Sequence, residues 1–337
     1  MKYITLLLLI CCLASCKTDT SSQISIKSEA FGTTYAVTYF GEYEKSPRIR
    51  KGIDSVVQVV NRSMSTYIPE SDISKINKGD STIVVDTMFK EVFALSRKLH
   101  KLTNGYFDPT VGSLRNAYGF GDTKPLAIID SIVLDSMMRY VGFDKLALSP
   151  KGTVQKKYPE VYIDFNAVAK GYGIDRIATF LQNENIPDFL IELGGEIRAQ
   201  GRHQLKDKSW VVGVESIYSS VQDRQATVTL RLEDKSMAGS GNYRKNRIDS
   251  ITGKQYVHTI NPLTGSAEKI NMLSANVIAP TCAEADAWAT AFMAMGVERS
   301  KAILAIQKDI DAYLVFSDGE NSTSTYVTDG FKQLLTE

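Results

Sequence analysis

Cysteine is scarce in this sequence, and three of its four cysteines lie within the first sixteen residues. Only Cys282 lies beyond that start, so the rest of the chain can form no internal disulfide. No spacing of cysteine and histidine resembles a zinc site. A catalytic thiolate would need a stabilising neighbour, and the sequence identifies none. We therefore interpret Cys282 as a small buried residue.

Several catalytic motifs and any excess of one charge are also missing. There is no GxSxG, no Walker-type lysine loop and no GxGxxG after a strand, so serine-hydrolase, P-loop and Rossmann interpretations lack support. The chain has 39 basic and 38 acidic side chains, and removing residues 1–15 would take Lys2 and leave 38 of each. General attraction to nucleic acid or to an anionic membrane surface is therefore not expected.

The hydrophobic run at the amino terminus, Ile4 to Ala14, has eleven residues and is too short to span a bilayer. It follows a lysine and ends in Leu-Ala-Ser before Cys16, which predicts an export signal over residues 1–15 and resembles a bacterial lipoprotein box. Cys16 would then anchor the exported, periplasm-facing protein to a bacterial membrane, and both the inner and the outer membrane stay open. An ordinary signal peptide with an incidental cysteine is the alternative. Residues 16–27 are predicted to be a polar tether, and residues 28–337 one large folded body.

That body mixes strand-like and helix-like periodicities without a strict strand–helix rhythm. The pattern predicts an α+β fold with mixed or antiparallel sheets and packed helices. An exposed turn is expected at Lys151 to Pro159. Predicted strands are 31–40, 145–148, 189–193, 210–214, 227–232, 275–279 and 312–316, and predicted helices are 53–64, 88–102, 130–140, 282–295 and 300–306.

The stretch VYIDFNAVAKGYG, residues 161–173, is a poor core segment but a good candidate for ligand contact. We predict that Ile163 ends a buried strand, that Asp164 and Asn166 form a turn, and that a helix follows. These side chains and Lys170 would then lie near the free N–H groups of a helix start, where anions bind favourably.

A second candidate is the apolar stretch CAEADAWATAFMAM, residues 282–295, in which Asp286 and Thr290 are four positions apart. This spacing places both side chains on one face of a helix that is otherwise buried. A buried carboxylate is costly unless it is paired, and both groups are hard oxygen ligands. The pattern therefore suggests a magnesium site. The alternative is that Asp286 pairs with a lysine or caps a neighbouring turn.

A third candidate is the segment 236–247, SMAGSGNYRKNR, where glycines lie beside Arg244 and Lys245. Backbone freedom and positive charge suit a phosphate, and a basic surface turn is an equal alternative. His258 could bind a phosphate or relay a proton, or could simply be a polar packing residue. Aromatic side chains in irregular segments could stack on a flat ligand ring or cover core edges, and these are Tyr67, Tyr106 and Phe107.

Eight stretches, taken in chain order, resemble the ApbE family of FAD:protein FMN transferases from about Phe31 to Phe316. They are FGTTYAV, MSTYIPESDISKIN, TNGYFDPTVG, IDFNAVAKGYGIDRI, LIELGGEIRAQG, SGNYRK, YVHTINPLTG and CAEADAWATAFMAMG. Several are weak individually, but eight in the right order leave little room for coincidence.

The resemblance implies a single ApbE-like body with a T-fold-like core and a smaller cap region. It implies an enzyme that cleaves the pyrophosphate of FAD with Mg²⁺, transfers FMN to a threonine hydroxyl of an acceptor protein such as a membrane respiratory complex subunit, and releases AMP. By position it implies that FAD contacts Phe31, Tyr67, Tyr106, Phe107, Asp108, Asp164, Lys170, His258 and Ile260, and that Ala167, Asp286 and Thr290 hold Mg²⁺. His258 and Asp286 are the candidates for accepting the threonine proton, and Arg244 or Lys245 could support phosphate charge.

Three positions depart from the family pattern. Phe31 stands where methionine is common, Asn166 and Ala167 replace a double glycine, and Asn261 replaces a carboxylate. Small residues at 166 and 167 still permit a close backbone approach, so binding is expected to survive. Two other functions stay open: an FAD pyrophosphatase, in which water replaces threonine, and a non-catalytic flavin-binding lipoprotein.

Overall fold

The computed structural model describes residues 22–220, 223, 225–242, 246–248, 253–319 and 322–336. The predicted export signal, Cys16, Arg244 and Lys245 lie outside these residues. Among the residues described, no helix is both long enough and apolar enough to cross a membrane.

Strands and helices alternate irregularly along the chain. The strands are β1 (Ser22–Ala30), β2 (Thr33–Gly41), β3 (Leu146–Leu148), β4 (Val154–Lys156), β5 (Phe189–Leu193), β6 (Glu196–Gln200), β7 (Trp210–Glu215), β8 (Ala226–Leu232), β9 (Lys235–Gly241), β10 (Asn246–Ile248), β11 (Gln255–Val257), β12 (Met272–Ala279), β13 (Asp311–Ser317) and β14 (Thr323–Val327). The helices are α1 (Ser46–Met64), α2 (Asp72–Asn77), α3 (Thr87–Leu102), α4 (Gly112–Ala117), α5 (Ser131–Met138), α6 (Ala169–Asn183), α7 (Cys282–Met295), α8 (Val297–Ile306) and α9 (Asp329–Lys332).

One eight-stranded sheet organises the fold. Its order is β1-β2-β5-β6-β9-β12-β13-β14, and every neighbouring pair is antiparallel. The pairs β3–β4, β7–β8 and β10–β11 form separate two-stranded sheets. This antiparallel architecture confirms the predicted α+β class.

Helices cover one face of the large sheet, and the β7–β8 hairpin covers the other. On β5, Ile191 packs on the side of α1 and α6, whereas its neighbour Leu190 packs on the side of Trp210. On β12, Val277 packs on the helix side and its neighbour Ile278 packs on the hairpin side. Successive side chains of a strand point to opposite faces, so a strand between two layers buries apolar residues on both faces.

Helices α6 and α7 approach closely because a glycine lies where they meet. A Cβ at Gly171 would lie 2.3 Å from the carbonyl oxygen of Cys282, too near for any side chain without displacement. One turn later the Asp175 carboxylate accepts hydrogen bonds from the N–H groups of Cys282 and Ala283, each at 2.9 Å. Helix starts leave such N–H groups unpaired, so α6 caps α7 through Asp175. Burial raises the pKa of Asp175 to about 6, although these two hydrogen bonds lower it.

Several local predictions are confirmed. Helix α7 has the predicted bounds, and Cys282 at its start is a fully buried free cysteine. Burial raises the pKa of its thiol well above the usual value, which disfavours a reactive thiolate. Gly194 and Gly195 form the tight turn between β5 and β6 with φ of 62° and 111°, a conformation that favours glycine.

Three local predictions need correction. Ile163 belongs to no strand, because its N–H donates to the side-chain amide of Asn77 and its C=O accepts from it, each at 2.8 Å. The segment expected as an exposed turn contains β4, which pairs with β3. The folded body begins before the predicted boundary at residue 28, since Ser22 to Lys27 belong to β1 and pair with β2. Ile24 and Ile26 are buried, a signal that the polar composition concealed.

The contact at Gly171 gives a first prediction. Gly171→Ala should lower the free energy of unfolding by about 1–3 kcal/mol, because the added methyl group pushes α6 and α7 apart. The melting temperature should fall by several degrees. Asn183→Ala, at the exposed end of the same helix, is the matched control and should leave it nearly unchanged. Equal melting temperatures for Gly171→Ala and Asn183→Ala would show that the helices tolerate separation.

Candidate active site

One cavity of about 1140 Å³ brings together the twelve residues that the resemblance assigns to FAD and Mg²⁺. Its walls come from both faces of the large sheet, and it passes the Gly194–Gly195 turn. The predicted residues that line it are Phe31, Tyr67, Tyr106, Phe107, Asp108, Asp164, Ala167, Lys170, His258, Ile260, Asp286 and Thr290. Four of the elements that carry them are distant in sequence: the β1–β2 turn, the loop after α3, the start of α6, and α7.

Asp164 holds the turn that leads into α6. Its Oδ1 accepts from the N–H of Asn166 at 2.7 Å, and its Oδ2 accepts from Arg115 at 2.5 Å. Arg115 also donates to the hydroxyl of Tyr67 at 2.8 Å. Although burial opposes it, the carboxylate of Asp164 raises the pKa of Arg115 further above its usual value. Arg115 is therefore a fixed cation on the cavity wall, beside the exposed ring of Tyr67.

Arg115 was missed by reasoning from the sequence. It lies on the short helix α4, which was not predicted, and no motif marks it. A signal was nevertheless present, because TNGYFDPTVG places Gly112 at the start of that helix. A Cβ there would lie 2.5 Å from the ring of Tyr162, so glycine lets α4 pack against the Asp164 segment.

Lys170 contacts a buried acid that sequence reasoning also missed. Its ammonium group pairs with Oε1 of Glu196, the first residue of β6 after the double-glycine turn. Burial raises the pKa of Glu196 to about 7, while Lys170 lowers it. Burial lowers the pKa of Lys170, but the carboxylates of Glu196 and Asp286 outweigh it and raise the pKa overall. Within the described residues, the buried Oε2 of Glu196 has no hydrogen-bond partner.

Asp286 and Thr290 lie on one face of α7, as predicted, and both reach the cavity. Oδ2 of Asp286 accepts from the N–H of Gly171 at 3.2 Å. Burial raises the pKa of Asp286, although Lys170 opposes the shift. The α6–α7 contact thus brings the carboxylate to the start of α6, where Ala167 and Lys170 also border the cavity.

These residues fit a magnesium ion that is bound by few protein ligands and completes its shell with other oxygen atoms. The described chain contains no group of three or more histidine, cysteine, aspartate or glutamate side chains that could enclose a metal. The predicted set is one carboxylate, one hydroxyl and one carbonyl oxygen, from Asp286, Thr290 and Ala167. Mg²⁺ commonly binds through one or two carboxylates and completes its shell with water and substrate phosphates. The buried acids Asp286 and Glu196 outnumber the one lysine beside them, which also favours a cation.

Phe31 reaches the cavity from an unusual turn. Both residues of the β1–β2 turn have positive φ, 51° at Phe31 and 75° at Gly32, so a bulky side chain occupies a left-handed conformation. A Cβ at Gly173 would lie 2.6 Å from the Phe31 ring, so this glycine of α6 leaves room for it. The two glycines of the GYG sequence therefore have separate purposes: Gly171 admits α7, and Gly173 admits Phe31.

Asp108 borders the cavity, but its carboxylate is used to hold the loop. It accepts from the N–H of Thr110 at 2.8 Å and from the N–H of Phe143 at 2.9 Å. Nδ1 of His100 lies 3.3 Å from Oδ2 of Asp108 and 3.1 Å from the carbonyl oxygen of Phe107. Both are acceptors, so Nδ1 carries the hydrogen. Asp108 therefore shapes the loop that presents Tyr106 and Phe107.

His258 and Ile260 enter the cavity from the segment after β11. Between them Thr259 is buried and donates to Asn242 at 3.0 Å, which ties this segment to the end of β9. Arg244 and Lys245 lie outside the described residues. Arg247, from the same basic segment, donates to the carbonyl of Tyr118 at 2.9 Å, so this side chain contacts the hydrophobic cluster that contains Tyr118 and Ile260.

Comparison with known proteins gives consistent results. The sequence model of the ApbE family matches residues 31–314. An FAD:protein FMN transferase of Haemophilus influenzae is 32% identical over 332 residues, covering 96% of this chain and 94% of the relative. The FAD:protein FMN transferase of Vibrio cholerae is 31% identical over 330 residues, covering 96% of each chain.

Solved structures agree with the sequence comparison. The flavin transferase ApbE from Vibrio cholerae has a TM-score of 0.82 and 30% identity, covering 94% of this chain and 100% of its own. The apo flavinyl transferase ApbE from Pseudomonas stutzeri shares the fold, with a TM-score of 0.81 at 24% identity over 93% of this chain and 97% of its own.

The His100–Asp108 contact predicts a pH-dependent stability. Hydrogen bonding to Asp108 is the main cause that raises the pKa of His100, and burial opposes it. The stabilisation should be fully present below the unfolded value of about 6.5 and should disappear as pH rises through the higher folded-state value. His100→Gln should therefore lower the melting temperature more at pH 5.5 than at pH 8.5. His203→Gln, which removes a histidine packed between Phe40 and Trp210, provides the baseline. An equal loss at both pH values would contradict the assignment.

Proposed function

The chain belongs to the ApbE family, and from this membership and the site we propose that it transfers FMN from FAD to a threonine hydroxyl of an acceptor protein. The observation that carries the proposal is the shared cavity of Asp286, Thr290 and Ala167 with Lys170 and the aromatic residues. A binding protein would need the aromatic wall, but it would not need hard oxygen ligands beside a lysine. Their combination supports phosphoryl transfer.

The cavity offers distinct surfaces for the parts of FAD. Phe31, Tyr106 and the exposed Tyr67 supply ring faces for its two flat ring systems. Arg115 and Lys170 supply positive charge toward the phosphates. Asp164 keeps Arg115 in place, and Glu196 keeps Lys170 in place, so the cations are positioned before the ligand binds.

Magnesium would be held by Asp286, Thr290 and the Ala167 carbonyl, and when bound it would neutralise the charge of the diphosphate as a Lewis acid. We assign this contact to Oδ1 of Asp286, because Oδ2 accepts from the N–H of Gly171. Gly171 thus orients the carboxylate as well as admitting α7. The buried setting strengthens each of these electrostatic contacts.

The reaction exchanges one phosphorus–oxygen bond for another. The threonine Oγ forms a bond to the FMN phosphorus, the bond from that phosphorus to the bridging oxygen breaks, and AMP leaves with the electron pair. The hydroxyl proton must pass to a base. We assign that task to His258 rather than Asp286, because Asp286 is already used by Gly171 and by the proposed metal. Lys170 stabilises the negative charge that develops on the phosphates.

We also propose that Cys16 anchors the body to a bacterial membrane on its exported side. The support is the amino-terminal pattern of a short apolar run ending in Leu-Ala-Ser-Cys. Since β1 begins at Ser22, only residues 17–21 would separate the lipid from the sheet. Five extended residues span roughly 17 Å, so the body would lie close to the membrane and to membrane-bound acceptors.

This anchor can be tested directly. Cys16→Ala should abolish incorporation of labelled palmitate and release the protein into the soluble exported fraction. Retention of label on Cys16→Ala would contradict the assignment of the lipidated residue.

The transferase proposal predicts the products of one assay. The chain from Thr18 onward is incubated with FAD, Mg²⁺ and a threonine-bearing subunit of a membrane respiratory complex, and the subunit is then weighed. We expect a gain of one FMN and release of AMP. Free FMN with unmodified acceptor would indicate a pyrophosphatase instead, and intact FAD would indicate a binding protein.

Substitution of the ligands should separate the site from the fold. Asp286→Asn and Thr290→Val should each lower kcat/KM for transfer, Asp286→Asn by about 10³-fold, because several kcal/mol of metal stabilisation are lost. Glu284→Gln is the matched control, since this acid lies on the same helix and pairs with Lys98 outside the cavity. Near-normal transfer by Asp286→Asn at saturating Mg²⁺ would overturn the metal site.

A further inference from the structure

Strand β7 has a free edge that borders the cavity. One edge pairs with β8 along Trp210–Glu215, and in the described part of the chain no strand pairs with the other. Val211, Val212, Gly213 and Glu215 all line the cavity, although successive side chains point to opposite faces. Because both faces contribute, the cavity follows the edge of β7 rather than one face.

The hydrogen-bond directions of β8 show which groups β7 presents at this edge. The N–H of Arg231 donates to Leu334, and the C=O of Thr229 accepts from Thr336. Both groups therefore point away from β7. Arg231 lies opposite Val211, and Thr229 lies opposite Gly213.

In an antiparallel pair, residues opposite each other either exchange both hydrogen bonds or direct both groups away from each other. Val211 and Gly213 are of the second kind. Each points its N–H and C=O toward the free edge, where the described chain supplies no partner. Val211 is 53% exposed, so the edge can be reached from outside.

The other strands at the cavity are less available to a second macromolecule. Strands β5 and β12 are paired on both edges. Strand β9 extends past its last β6 partner, Met237, so Gly239–Gly241 also have one edge that no described strand pairs with. However, β9 packs on α7, the helix of Asp286 and Thr290, and its backbone therefore lies at the proposed reaction centre. Strand β7 belongs to the hairpin on the opposite face of the sheet.

From this arrangement we propose that the free edge of β7 binds an extended segment of the acceptor protein as an added strand, which brings its threonine to the diphosphate. The inference rests on the proposed transferase function and names the way its second substrate binds. Outward N–H and C=O groups at alternate residues match a polypeptide backbone, whereas a flavin nucleotide has no such repeat. Gly213 has no side chain to keep an incoming strand away.

The proposed reaction specifies the occupant of this edge. The added strand must present a threonine hydroxyl to the diphosphate. The occupant we infer is therefore an extended segment of the acceptor protein that carries this threonine.

Proline at position 211 tests the backbone contact. Val211→Pro removes an N–H that β8 does not use, and an edge strand tolerates proline where the N–H points outward. Val211→Ala is the matched control, because it shortens the side chain and keeps the N–H. The probe is a synthetic peptide centred on the threonine found to carry FMN. Its KM should be about tenfold or more higher with Val211→Pro than with Val211→Ala, which measures the loss of the side chain alone. The Kd for FAD, measured by flavin fluorescence, checks the integrity of the site.

A second measurement uses the unaltered protein and does not depend on how the variant folds. Single N-methylation along the peptide should weaken transfer at every second residue, since alternate N–H groups of an added strand face β7. Alternation would support the proposal. Equal KM values for the two variants, or N-methyl effects without alternation, would overturn it while leaving the transferase function standing. Release of FMN and AMP without modification of any acceptor would overturn both.

Discussion

The close contact of α6 with α7 is the constraint on which the site depends. At Gly171 the two helices are too near for a side chain, and Asp175 caps the first N–H groups of α7. The same approach lets the N–H of Gly171 reach Asp286. Two segments more than a hundred residues apart thus become one surface, on which oxygen ligands and a lysine meet.

The charge of this surface suits the proposed binding of a cation and a diphosphate. Glu196 and Asp286 are buried acids, and Lys170 is the cation paired with the first of them. Buried charge without compensation is costly, so a divalent ion bound there would compensate the acids and attract phosphate. Arg115, held by Asp164, adds a second fixed cation farther along the wall. The site is organised by ion pairs within the protein before any ligand enters.

The two proposed substrates differ in shape, and the cavity has two sides that suit them. Strand β6 begins only after the Gly194–Gly195 turn, whereas β9 extends beyond this point, and the cavity passes the turn from the helix face to the hairpin face. The helix side carries the charged and aromatic groups suited to a nucleotide. The hairpin side carries the free edge of β7, which suits an extended chain.

The sequence by itself determined the α+β class, the bounds of α7 and the pairing of Asp286 with Thr290 on one helical face, because periodicity is a local property. The resemblance to a family added Phe31, Asp108, Ala167 and Ile260. Arg115 and Glu196 could not be found in this way, because each becomes significant only through a partner distant in the chain: Asp164 for Arg115, and Lys170 for Glu196.

The segment at Ile163 was predicted to be a strand because a hydrophobic pattern cannot show that the side-chain amide of Asn77 takes the place of a neighbouring strand. The purposes of Gly171 and Gly173 were likewise decided by tertiary structure: a glycine in a sequence permits a close approach, and only the fold shows that one admits α7 and the other the ring of Phe31.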